Sequence, residues 1–370
     1  MPEQDRTPQG QIQPAQQAPT RNGTVTASAA GGWPGTDPVE SSRVIRGELG
    51  DPHLPFLMEL PQRGPEAEAV GRSASLLVDL FADIQPHGWR LVERPGKEHR
   101  RAVSLLGQDL NALADVAGAE ESPGHALKIS LRGPLSLAAN LHLHNGERAL
   151  ADAGARRELA QSLAAGVGSY ISRAASSVPG ARITVQVDEP EIAAILAGGI
   201  PTASGYRTLR SVASGEVAAA WQQLREAIGA AGADTVLALP RAGELGPLRS
   251  GVQSPFELAR SAGVQGTALV TDGLDARDWE GIAEAVENGE RVWLGVLSLP
   301  PAGAPLPQVT ALAEKVLRPW RKLGLSVKDL PSLGLLPAAD LAGLSPDAAR
   351  KVLARLTQTA SALDQVAAEG

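Results

Sequence analysis

Arg182-Ile-Thr-Val-Gln-Val-Asp188-Glu189-Pro190 is the stretch from which the rest of the chain is read. Ile183, Val185 and Val187 alternate with Thr184 and Gln186, which is the period of a strand, and the β-branched residues suit a pleated backbone. Pro190 offers no N–H to a ladder, so the strand ends near Asp188 and leaves two carboxylates, Asp188 and Glu189, at its C-terminal lip. In the plain alternative, Asp188 caps the helix that follows and Glu189 is solvated.

Working outward, similar runs occur at Thr24–Ala30, Leu54–Leu60, Ala126–Arg132, Thr235–Leu239, Gly266–Thr271, Arg291–Leu297 and, weakly, Leu333–Leu336. Helical spacing of apolar residues predicts helices between them, at 67–84, 100–120, 152–176, 215–231, 254–262, 277–288, 307–323 and 346–367. Strands that alternate with helices along the whole chain predict an α/β fold, a single-domain (β/α)8 TIM barrel over 23–370, with a doubly wound open sheet as the alternative. Residues 1–22, rich in Gln and Pro and poor in large apolar groups, are expected to be a disordered tail.

Composition narrows the function. A chain of 370 residues with 43% hydrophobic content can bury a large core. Its net charge of −7, with no dense Lys/Arg stripe, argues against nucleic-acid or anionic-membrane partners. No apolar run is long enough to span a bilayer and the N-terminus lacks a signal-peptide centre, so the expected location is cytoplasmic. Cysteine is absent, which removes disulfides, thiol nucleophiles and thiolate metal sites together. Walker A, Gly-x-Ser-x-Gly, His-Glu-x-x-His and Gly-x-Gly-x-x-Gly patterns are absent too.

Three motifs run in a familiar order: Ala30-Gly-Gly-Trp-Pro-Gly-Thr-Asp37, Lys128-Ile-Ser-Leu-Arg-Gly-Pro134, and the Val-Asp-Glu-Pro strand end. In this the chain resembles the cobalamin-independent methionine synthase family, in the short single-barrel form that corresponds to its catalytic half. The resemblance implies a barrel that transfers a methyl group from methyltetrahydrofolate to the thiol of homocysteine, with zinc as cofactor. It implies that Glu59 and Asp188 hold the substrate amino group, and an ammonium taken into a partly dry pocket does need paired anions. It further implies that the Gly31-Gly32 turn holds the substrate carboxylate through backbone N–H groups, although Gly32 lacks the family's serine hydroxyl. The bland reading of Glu59 is a rim carboxylate paired to Arg63.

The chemistry-bearing positions depart from that pattern. Leu237 and Leu239 stand where the family's His-x-Cys pair belongs, Ala339 where its second Cys belongs, and Ser298 and Pro300 where its Asp-x-His belongs. One carboxylate near Asp272 cannot hold zinc alone. The pair His142-Leu-His144 is read as surface histidines at a helix end, and His53, His87, His99 and His125 as solvated or capping residues. Two expectations follow: a degenerate member of that family that is still an enzyme of the methyl-transfer type, or a non-catalytic barrel that binds a small amino-acid-like ligand or serves as a scaffold; in both, no catalytic residue, metal or cofactor is assigned. Metal analysis of the purified chain should find no stoichiometric zinc, and assay with homocysteine and methyltetrahydrofolate no methionine; one tightly held zinc per chain would overturn this reading.

Overall fold

A computed structural model describes residues 23–240, 253–301 and 303–370; the expected tail at 1–22 lies outside the described residues. The strands are β1 (Thr26–Ala27), β2 (Phe81–Gln85), β3 (Gly88–Val92), β4 (Ala126–Arg132), β5 (Leu141–His142), β6 (Arg182–Asp188), β7 (Asp234–Ala238), β8 (Gly266–Val270), β9 (Arg291–Leu297) and β10 (Leu333–Pro337). Seven of them form one all-parallel sheet in the order β1-β10-β9-β8-β7-β6-β4. Its two edges are joined by the extended segment 54–60. Leu57 N–H donates to Lys128 O at 2.8 Å and Lys128 N–H to Pro55 O at 2.8 Å, while Leu54 N–H donates to Ala27 O at 3.0 Å and Glu59 N–H to Gly31 O at 2.7 Å. The sheet thus closes into an eight-membered barrel, as the alternation of elements predicts, and the open doubly wound sheet is excluded. Pro55 and Pro61 lack N–H groups, which explains why this eighth member is held by isolated bridges and not by a continuous ladder.

The helices are α1 (Pro38–Glu48), α2 (Ala69–Ala74), α3 (Lys97–Gly118), α4 (Pro134–Asn140), α5 (Ala153–Ser177), α6 (Ile192–Ala197), α7 (Ser214–Ala230), α8 (Pro255–Ser261), α9 (Ala276–Glu287), α10 (Val309–Lys322) and α11 (Pro346–Glu369). The apolar half of each strand faces them: Leu127, Ile129 and Leu131 on β4, Ile183, Val185 and Val187 on β6, and Val292, Leu294 and Val296 on β9 all lie in the shell between strands and helices. The alternate residues face the barrel interior, where Leu54, Val236, Ala268, Trp293 and Leu336 form a separate small apolar cluster. Trp293 fits only because Gly334 lies opposite, since a side chain there would overlap the indole ring. Among the described residues no helix is long and apolar enough to cross a membrane.

One stretch departs from expectation. The helix predicted over 67–84 is only the six-residue α2; Phe81–Gln85 instead pairs antiparallel with Gly88–Val92, and β5 joins β3 in parallel. Leu77 and Leu80 have helical spacing, but Pro86 and Gly88, the latter at φ +118°, impose a turn that makes the following alternation a hairpin.

The Asp-Glu-Pro corner also resolves differently from its plain reading. Glu189 is fully buried, and its carboxylate accepts hydrogen bonds from Leu135 N–H at 3.2 Å, Ser136 N–H at 2.7 Å and Trp221 Nε1–H at 3.0 Å. Those two amides are orphan donors in the first turn of α4, so Glu189 caps that helix from another strand, while Asp188 caps none. Gly133 must be glycine here, because a Cβ would collide with the Glu189 carboxylate. Replacing Glu189 with alanine strands three buried donors and should cost on the order of 2 to 4 kcal/mol in urea unfolding. Glu189→Gln should cost less; a loss below about 0.5 kcal/mol for the alanine variant would refute the cap.

Candidate functional site

The C-terminal ends of the strands bring Glu59, Asp188, Gly31, Gly32, Arg132 and Asp340 to one mouth. Glu59 ends the closing segment and bridges Gly32, and a Cβ on Gly31 would stand 2.9 Å from its Cγ and Cδ. Glycine at 31 is therefore what lets Glu59 turn in, with only 7% of its surface exposed. Arg63, expected as its partner, instead bonds Asp109 on α3, as Arg72 also does. Among the described residues the cation paired with Glu59 is Arg72, with Nε 3.8 Å from Oε1. Burial raises the Glu59 carboxyl from 4.5 to about 7, opposed by Arg72 and Arg132 and reinforced by Asp188 and Asp340.

Asp188 is half-buried, and its carboxyl too is raised, first by burial, against the opposing pull of Arg132, of a hydrogen bond from Gln186 and of Lys128. Beneath it runs a polar chain along the barrel interior. Lys128 Nζ donates to Gln186 Oε1 at 2.7 Å, and Gln186 Nε2 donates to Asp188 Oδ1 at 2.7 Å. Lys128 is 1% exposed, and burial pulls its ammonium down to about 7 while Asp188 resists. Its Nζ lies 5.7 Å from the Trp293 ring centre, a cation–π contact that offsets part of its desolvation.

The Gly31-Gly32 turn is not an open cradle for a carboxylate. Asp340, from the loop after β10, places its own carboxylate against Gly32, where any side chain would overlap it. A ligand anion is served better by β4, where Lys128, Ser130 and Arg132 share one strand face. Ser130 Oγ and Arg132 Nε are buried without a hydrogen-bond partner among the described residues. Arg132 acts electrostatically on both Glu59 and Asp188. These β4 groups and Asp340 were missed from sequence, although the Lys-x-Ser-x-Arg alternation in an otherwise apolar strand marks a polar inner face.

Histidines are arranged otherwise than expected. His142 is not a surface residue: it is 6% exposed, its Nδ1 lies 3.1 Å from Trp89 O, and its ring meets His87 edge-on at 4.9 Å. His99 is buried on α3 against Phe81, and His53 Nδ1 accepts from Ala27 N–H at 3.2 Å. Among the described residues no group of three or more His, Asp or Glu side chains could hold a metal ion.

No family model matches the chain, and no curated protein matches it. Solved structures to which it is similar include an oxaloacetate acetylhydrolase in complex with oxalate, at 14% identity over 91% of this chain and 83% of that one, TM-score 0.37. Another is 2,3-dimethylmalate lyase, a PEP mutase/isocitrate lyase superfamily member, at 12% identity over 95% and 96%, TM-score 0.35. A third is a glycoside hydrolase family 20 β-N-acetylglucosaminidase, at 12% identity over 91% and 69%, TM-score 0.41. These findings overturn the assignment to cobalamin-independent methionine synthase, and with it methyl transfer to homocysteine and a place in methionine biosynthesis. Strand register supplies a physical reason for the correction. Leu237 and Leu239 pack into the shell between strands and helices, whereas Val236 and Ala238 face the interior, so these two positions, matched to the His-x-Cys pair, point away from the mouth.

The raised Glu59 carboxyl gives a signed pH dependence. Between 4.5 and about 7 the folded chain holds a proton that the unfolded chain has released, so this group's contribution to stability falls as pH rises through that window. Glu59→Gln should therefore gain on the wild type between pH 5 and pH 8, by on the order of 2 kcal/mol in chemical unfolding. An equal difference at both pH values would show that Glu59 is not held protonated.

Proposed function

We propose that the C-terminal mouth binds a small zwitterionic, amino-acid-like molecule. The observation that carries this reading is the mixed charge of one partly dry mouth: Glu59, Asp188 and Asp340 converge there with Arg132, and the first two carboxyls are raised by burial. An ammonium group seated between Glu59 and Asp188 would restore the ionised state that burial opposes, because a close cation favours a carboxylate. The ligand's carboxylate would fall to Arg132 and Ser130, whose buried donors lack protein partners among the described residues. Gly31 and Gly32 contribute by their lack of side chains, which makes room for Glu59 and Asp340. In this reading Gln186 and Lys128 position Asp188 from below and do not touch the ligand.

Calorimetric titration of the full chain with α-amino acids, their N-acetyl forms and the corresponding decarboxylated amines tests the assignment. Free amino acids should bind, and more tightly as pH rises through about 7, where Glu59 gives up its proton. N-acetylation should abolish binding, and Asp188→Asn should weaken it by at least about tenfold. Arg132→Gln should weaken the amino acid but not the decarboxylated amine. Equal binding of the N-acetyl forms, or no saturable binding by any amino acid, would refute the reading.

A further inference from the structure

The opposite end of the barrel is hollow. Between the N-terminal ends of the strands lies a cavity of about 450 Å³, which falls within the range of small-molecule sites. Small side chains at the strand starts create it: Thr26 on β1, Ala126 on β4, Thr184 on β6 and Gly266 on β8 all line it and leave the floor to Trp293. Active sites of such barrels lie at the other end, where the mouth described above is found, so this cavity owes nothing to that site.

Its lining is rich in donors that lack acceptors. Trp293 Nε1, Arg291 Nε and Nη2, and Thr26 Oγ1 are all buried, and none has a hydrogen-bond partner among the described residues. Trp293 and Thr26 are each 2% exposed, so bulk water does not reach them freely. Arg291 is half-buried and stacked 5.0 Å from the Trp293 ring centre, and among the described residues no carboxylate forms a direct ion pair with it. Burial pulls its guanidinium down to about 10, an unusual state for arginine, with Asp234 opposing and Arg182 adding to the shift. Of the cavity's two carboxylates, Asp234 is already held by Arg182 at 2.6 Å, and Asp51 stands beside His53.

An indole N–H, two guanidinium N–H groups and a hydroxyl, gathered over an apolar floor, are complementary to one kind of group. We propose that this cavity is a second ligand site, for a small molecule whose carboxylate or phosphate is received by Arg291, Trp293 Nε1 and Thr26 and whose apolar body lies against Leu54, Ala126 and the Trp293 ring. The charge-assisted bonds to Arg291 supply the affinity, and the indole and hydroxyl fix orientation.

The test is titration of the full chain, by calorimetry and thermal shift, with hexanoate, benzoate and inorganic phosphate, and with neutral hexanamide. At least one anion should bind saturably, with hexanamide weaker by at least about tenfold; which anion binds distinguishes the carboxylate from the phosphate source. Arg291→Gln should lose at least about tenfold in affinity with an unchanged or raised melting temperature, because it removes a partly desolvated charge that has no direct ion pair among the described residues. Trp293→Phe, which keeps a ring and loses the N–H, should weaken binding several-fold and serves if the arginine variant does not fold. Arg132→Gln, at the far mouth, should leave this binding intact. No saturable binding below about 10 mM, undiminished binding in Arg291→Gln, or loss in Arg132→Gln instead would overturn the proposal.

Discussion

A lysine held inside the barrel sets the terms for much of the rest. Lys128 is 1% exposed and among the described residues reaches no carboxylate directly; its ammonium meets the Gln186 amide and the face of Trp293. Removing an ammonium from water is costly unless it is hydrogen-bonded, so each of these contacts constrains a strand. Gln186 fixes β6 against β4, and Trp293 fixes β9 from across the interior and in turn requires Gly334 on β10. The apolar face of the same strands is turned to the helices. Burial of Ile183, Val185, Val187 and their counterparts supplies the stability that a polar interior does not.

The strand pattern was legible because it is written twice, once in apolar residues that face the helices and once in the positions between them. All eight barrel members fall where alternation placed them, and seven of the eight expected helices are found within a few residues of their bounds, while α1 and α6 were not foreseen. The failure at 67–84 has a physical cause: over so short a stretch, leucines at 77 and 80 satisfy helical spacing as well as a hairpin does, and Pro86-His87-Gly88 decides the matter. His142 was misread for a related reason, since the hairpin that buries it was not foreseen.

The site was legible only in part. A strand's C-terminal lip marks where side chains enter the mouth, which located Glu59 and Asp188, but tertiary partners lie beyond any local pattern. Sequence adjacency suggested Arg63 for Glu59, yet Asp109, far along the chain on α3, takes both Arg63 and Arg72. Likewise Glu189 reaches back to the start of α4, and Asp340 comes from the loop after the final strand to cover Gly32. Matching short motifs also left open which face of β7 a residue occupies; a shift of one position exchanges interior for exterior, and this is how Leu237 came to be matched to a metal ligand.

Gln186 has a direction. Its carbonyl must face Lys128, which only donates, and its amide must face Asp188, which accepts, so the side chain can sit one way round only. An amide carries alignment between its neighbours but does not readily hand on a proton as a carboxyl or imidazole would. The barrel axis is therefore wired for geometry and insulated against proton transfer: Lys128 and Asp188 feel each other's charge, but the Gln186 amide that links them passes no proton between them. A carboxyl in place of that amide would join them into a single conducting path.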